Sequence, residues 1–246
     1  MKFILTCSFV VIYGFIYCQS KSHLINITVS NNGQIEDVLD GFYWTGAYGP
    51  GDDTYSYKRN AFKFNLMYEL LTISKYSFYG RLGFGTNRNT YNISNVTVAN
   101  GNTSQNFFNF SFGSKYNLTF DKFQISTGVE IPFYYIGKYT EKFYWDNQTE
   151  SEILTYDVLI DDGYSIGLNS ITSIKFYPTK RFFITADIVF GAMHFNLGDK
   201  YYFKENTEST IDPSITSQYS YEMERSYKTT ILTKPELHFG FGIKFN

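Results

Sequence analysis

The stretch Thr230–Asn246, TILTKPELHFGFGIKFN, alternates in character almost to its last residue. Ile231, Leu237, Phe239, Phe241, Ile243 and Phe245 fall on one parity, and Lys234, Glu236, His238, Gly240, Gly242 and Lys244 on the other. A period of two is that of a β-strand, whose successive side chains point to opposite faces. About 9–11 tilted residues suffice for a strand to cross a bilayer, and this alternation runs longer. The stretch reads as a lipid-facing strand with a polar inner face, and the rest of the chain must supply its neighbours.

The 246 residues suffice for one barrel domain. Aromatic residues make up 20% of the chain, with 23 Tyr and 25 Phe, yet the mean hydropathy is −0.25. After the N-terminus no continuously apolar run reaches the ~20 residues of a membrane helix. This combination excludes a helical membrane protein and permits a barrel, whose polar lumen and loops dilute its apolar band. Residues 1–18 read as a signal peptide: a basic start at Lys2, an apolar core over Phe3–Tyr17, and cleavage after Cys18. Lipidation at Cys18 is the competing reading. Residues 19–246 then form the barrel, and with Cys7 and Cys18 at or before the cleavage point it has no disulfide framework. A net charge of −2 without a basic cluster carries no argument for nucleic acid, and no nucleic-acid partner is expected.

Seven segments carry the strand period: 60–70, 76–84, 108–120, 123–135, 164–176, 182–192 and the final one. A first strand has two competing candidates, the FYWTGAY run at 42–48 and the alternation of Ile25, Ile27 and Val29. Pro132 lacks a ladder donor, which predicts a bulge nearby. The segments 87–105, 141–162 and 200–228 read as long loops, whereas the connections after Leu70, Phe120 and Tyr177 are short. Short turns on one side and long loops on the other fit an outer-membrane barrel, with aromatics such as Tyr76, Phe120, Phe123, Phe182 and Phe245 as a girdle beside the turns. With both chain ends on the periplasmic side the strand number must be even. The fold class expected is all-β, an eight-stranded antiparallel up-and-down transmembrane β-barrel.

The strand pattern over Gly41–Phe245, with RLGFG at 81–85 and ELHFGFGIKF at 236–245, resembles the small bacterial outer-membrane β-barrel domain family of OmpA-like and OmpX-like eight-stranded barrels. The resemblance implies the outer membrane of a Gram-negative bacterium. It also implies contact with outer-membrane lipid and lipopolysaccharide, insertion by the barrel-assembly machinery, and room for an outer-membrane protein partner.

On the inward parity stand Lys63, Glu69, Arg81, Lys115, Glu130, Lys175, Asp187, Lys234, Glu236, His238 and Lys244. The interior of an eight-stranded barrel is just wide enough to be filled by side chains, and charges kept from water must pair, so these are expected to form an ion-pair network. Inward glycines such as Gly83, Gly85, Gly113 and Gly242 leave room for small water-filled gaps. Of the three histidines, His23 is expected to be unstructured near the mature N-terminus. His194 faces outward toward the external rim and is the candidate base of a lipid-A deacylase, but position 196, where such enzymes carry Ser, is Asn. No cysteine or His pair has metal-ligand spacing, and the acidic residues Glu141, Glu150, Glu152, Asp157, Asp161 and Asp162 read as solvated charge with at most weak divalent binding. No cofactor is expected. The function that follows is a non-enzymatic barrel, porin-like in architecture with a filled lumen, in a structural or surface-interaction role through its external loops. The alternatives are a lipid-A-modifying enzyme and a non-catalytic subunit of an outer-membrane transport or secretion complex.

Overall fold

The computed structural model describes residues 20–31, 54–72, 75–94, 97–147, 151–198, 200–224 and 227–245. The signal-peptide reading and the FYWTGAY candidate lie outside these residues. The described chain is thirteen antiparallel strands. They are β1 (Ser20–Ser30), β2 (Thr54–Thr72), β3 (Tyr76–Ser94), β4 (Thr97–Phe120), β5 (Phe123–Ile136), β6 (Tyr139–Asn147) and β7 (Glu152–Ile160). There follow β8 (Gly163–Phe176), β9 (Phe182–Leu197), β10 (Lys200–Ser209), β11 (Thr216–Glu224), β12 (Tyr227–Leu232) and β13 (Glu236–Phe245).

Eight of them close into a ring. Following the ladders, β1 pairs β2, β2 pairs β3, β3 pairs β4 and β4 pairs β5. The circuit continues from β5 to β8, β9 and β13, and β13 pairs β1. The first strand is thus the Ile25, Ile27, Val29 segment. Closure removes the sheet edges that an open sheet of this size leaves unpaired. Along β5 exposed and buried residues alternate, with Phe123, Ile125, Val129, Ile131, Phe133 and Tyr135 exposed. Twelve residue steps at ~3.3 Å with a tilt near 40° give an apolar belt roughly 30 Å tall, the thickness of a bilayer's hydrocarbon core. The ring therefore spans a membrane.

Several expectations need correction. The segments read as long loops are mostly strands: β3 and β4 continue upward as a ribbon whose pairing reaches Ser94↔Val98. Onto its edge β6, β7, β10 and β11 add in turn, forming an external sheet continuous with the ring. Their alternation is masked because both faces carry Tyr, Thr and Glu. No bulge forms at Pro132, where the β5–β8 ladder lapses between Glu130↔Asn169 and Phe133↔Ile166 and resumes in the same register. Pro132 only omits a bond.

The final stretch is two strands. Both β12 and β13 pair β9, at Leu232↔Ala192 and Glu236↔Val189, so residues 233–235 face only residues 190–191. That single extra residue is a bulge, and it flips the parity. Ile231 sits opposite the fully buried Met193 and packs on the core, while Leu232 is 84% exposed. The causes are local: Pro235 has no N–H, and Thr233 is tied to Gly191 by its backbone N–H (2.8 Å to the carbonyl oxygen) and its hydroxyl. His23 is also not unstructured. It lies in β1, bonded to the Tyr68 hydroxyl (2.6 Å) and stacked on Phe245 in the girdle.

Candidate functional site

Three layers fill the ring. At the end with the short turns, Gln124 Nε2 (2.8 Å) and Ser126 Oγ (2.6 Å) donate to Asn117 Oδ1, and the Tyr177 hydroxyl donates to Gln124 Oε1. This end is closed by neutral polar groups.

The middle layer holds four cations and four carboxylates. Lys175 lies 2.5 Å and Lys115 4.0 Å from Glu69 Oε2, and Lys115 also donates to Ser173. Arg81 lies between Glu130 (3.5 Å) and Asp187 (3.7 Å). Glu130 accepts from the Tyr79 hydroxyl (2.9 Å) and from Asn169 (3.1 Å), and Asp187 from Thr185 (3.0 Å). Lys63 meets Glu236, which also contacts His238 Nε2 (2.8 Å) and accepts from Ser30 (2.9 Å). All nine ionisable residues from Lys63 to His238 in this layer are buried. Ions removed from water survive there because each meets an opposite charge, and Lys63, Lys115, Glu130, Asp187 and Glu236 make further hydrogen bonds.

Two residues of the expected network stand elsewhere. Lys234 is exposed in the bulge, because the extra residue takes it off the inner face. Lys244 is half-buried at the turn end, 5.9 Å from the Tyr177 ring. Charge alone overlooked Tyr79, Tyr134, Asn169 and Ser173, although their parity is the same as that of the charged residues; the Tyr134 hydroxyl accepts from Lys63 (2.9 Å). The inward glycines are sockets: a Cβ on Gly85 would lie 2.1 Å from the Phe107 ring, one on Gly113 2.7 Å from Tyr79 Cζ, and one on Gly242 2.4 Å from Phe183. Neighbouring rings occupy the spaces expected to hold water at Gly85, Gly113 and Gly242, and the Asn109 and Asn65 amides do so at Gly83.

The outer end of the lumen is apolar. Phe107, Tyr134, Ile136, Met193, Phe195 and Leu197 form one buried cluster with Tyr139, Val158, Ile160 and Tyr201 from the base of the external sheet. Beyond it, rings run across the inner face of that sheet from Phe143 to Tyr156 (4.7 Å), Phe203 (5.7 Å) and Tyr221 (5.3 Å), ending on Tyr219. Glu141 is buried there and accepts from the hydroxyls of Tyr139 (3.0 Å) and Tyr156 (3.2 Å). Asp161 pairs Lys138 (3.1 Å), whose ammonium is thereby held above its usual pKa. Likewise Glu222 at 2.6 Å raises that of Lys200. Among the described residues no group of three or more His, Cys, Asp or Glu could hold a metal ion.

His194 is on the outer surface of β9, where its Nδ1 lies 2.9 Å from the Thr230 hydroxyl of β12. Asn196 faces Tyr164 and Lys228 across the ladders.

The fold and its filled interior define a transmembrane β-barrel extended by an external sheet. No protein-family model and no curated protein matches the chain. Solved structures similar to it include the outer membrane protein OprG from Pseudomonas aeruginosa, 10% identical over 92% of this chain and 97% of that chain, with a TM-score of 0.44. Ail, the attachment invasion locus protein of Yersinia pestis, is 12% identical over 91% and 97%, with a TM-score of 0.36. A major outer membrane protein from Thermus thermophilus is 11% identical over 92% and 100%, with a TM-score of 0.38.

Proposed function

We propose that this is a non-enzymatic outer-membrane protein of a Gram-negative bacterium, with a lumen closed to solutes and a surface role carried by its external sheet. The supporting observation is the contrast between the two parts. Among the described residues the interior of the ring carries polar side chains, paired ions and, at one end, an apolar cluster, which supports a lumen closed to solutes. The external sheet ends in β11, which among the described residues pairs only with β10. Its nine residues, TSQYSYEME, contain neither Lys nor Pro, the usual protections of a free edge. Such an edge accepts an extended strand from a partner through main-chain hydrogen bonds. Of the two glutamates on it, Glu222 is paired with Lys200, and Glu224 favours a basic residue on the incoming strand.

The test uses the full chain. In planar bilayers it inserts without stable conductance steps, and large steady steps overturn the closed lumen. On intact cells, Ile211→Cys at the exposed β10–β11 tip reacts with an impermeant maleimide and Asp121→Cys at the opposite end does not; the reverse pattern overturns the orientation. A photo-crosslinker at Tyr219 gives discrete protein adducts that one at Phe241 does not. Identical patterns at both positions argue against the edge.

A further inference from the structure

The external sheet carries a second feature, on the face away from the aromatic ladder. A trough of about 600 Å³ crosses β6, β7, β10 and β11 between two rows of side chains. One row runs Lys142, Asp157, Lys204, residues directly opposite each other across the ladders. The other runs Thr140, Leu159, Tyr202 and Glu222, the last of these neutralised by Lys200. Two strand spacings of about 4.8 Å set the two lysines roughly 10 Å apart. Lys138 and Lys200 nearby are paired with carboxylates, whereas neither Lys142 nor Lys204 is in an ion pair among the described residues.

The trough has a defined position relative to the membrane. On β4 the even-numbered residues Phe108, Phe110 and Phe112 are exposed toward lipid. The same parity leads up the strand to Asn102, which is opposite Lys142. Since β4 is continuous, the face that meets acyl chains in the ring becomes the trough-bearing face above it. Around a barrel that zone is occupied by lipid headgroups. Two spaced ammonium groups on either side of Asp157, neither in an ion pair among the described residues, together with an aromatic ring and an aliphatic side chain suit sugars that carry anionic groups.

We propose that this trough binds the phosphorylated sugars of the lipopolysaccharide headgroups surrounding the barrel. Lys142 and Lys204 each take one phosphate oxygen cluster, Tyr202 underlies a sugar ring, and Asp157 weakens the site by its like charge. The inference rests on the outer-membrane reading above.

The test takes the full chain refolded in detergent, after its insertion into phospholipid vesicles has been checked. Titrants are rough lipopolysaccharide, the soluble phosphorylated core oligosaccharide released from it, the same oligosaccharide after dephosphorylation, and inorganic phosphate. Expected is binding of the first two, with a loss of roughly tenfold on dephosphorylation or in Lys142→Gln/Lys204→Gln, and tighter binding in Asp157→Asn. Both lysines are exposed, so the double variant keeps its fold, which an unchanged heat-induced gel shift verifies. Equal binding of inorganic phosphate and phosphorylated core assigns the site to free phosphate and overturns the headgroup. An unaffected double variant or a weaker Asp157→Asn overturns the trough itself. Insertion without core binding sinks this inference alone, whereas failure to insert sinks the outer-membrane reading with it.

Discussion

Glu69 Oε2 receives two ammonium groups, from Lys175 at 2.5 Å and from Lys115 at 4.0 Å. Glu69→Gln leaves both lysines buried without their shared carboxylate, and removing one partner of a buried pair costs roughly 3–5 kcal/mol. Lys175→Met leaves Glu69 with Lys115 and adds an apolar side chain, so it destabilises less. Urea unfolding in vesicles, followed by gel mobility, checks the order; equal losses for the two variants contradict it.

The Phe107 ring depends on Gly85. A Cβ at position 85 overlaps the ring, and overpacking of this kind costs about 1–3 kcal/mol. Gly85→Ala is expected to destabilise wild type by that amount and Phe107→Leu protein by much less. A double-mutant cycle measures the difference, and additive effects would remove the socket.

The bulge before β13 hangs on Thr233. Its hydroxyl accepts from Gly191 N–H (3.2 Å) and contacts the Gly191 oxygen (3.3 Å), so Thr233→Val, similar in shape, is expected to lose about 1–2 kcal/mol. Deleting Lys234 restores a two-against-two register and turns Leu232 inward. Solvent labelling of Leu232→Cys with and without the deletion reports the flip.

At the β10–β11 tip, the Ser214 hydroxyl (2.6 Å) and backbone N–H (3.0 Å) donate to Asp212 and hold its carboxyl below the usual range. A depressed carboxylate pKa contributes order above its unfolded value, near 3.9, and that order is lost as pH falls through the folded value. Hydrogen exchange over 210–215, corrected for intrinsic rates, should therefore speed up at pH 3 relative to pH 6 in wild type. Asp212→Ala should exchange fast at both.

His194→Ala and Thr230→Val are expected to leave the lipid A of cells carrying the protein unchanged in acyl number by mass spectrometry. A spectrum that differs between cells with and without the protein, and reverts in either variant, would establish catalysis at this pair.

The ring was legible because lipid imposes a strict period of two: Phe123, Ile125, Val129 and Ile131 must all face one way. The external strands obey no such solvent. Tyr202 and Phe203 are neighbours on opposite faces of β10, and only pairing with distant strands decides that this segment is a strand. The parity flip at Thr233 is a relation between two strands, so Ile231 could not be placed from its own neighbours. Among the charges, parity assigns Lys63 and Arg81 to the inner face, but their partners are set by where the strands stand around the ring. Arg81 on β3 meets Asp187 on β9, across the lumen. Uncharged members such as Tyr79 carry no sequence signal beyond parity.

One long strand has a mechanical consequence. Over its 24 residues β4 pairs β5 below and β6 above while β3 runs beside it, with no linker between ring and extension. A tug on the far end of the extension is therefore transmitted along the strands, straining many parallel hydrogen bonds at once instead of unzipping them singly. Anything tethered to that edge would be anchored to the ring through a continuous hydrogen-bonded ribbon.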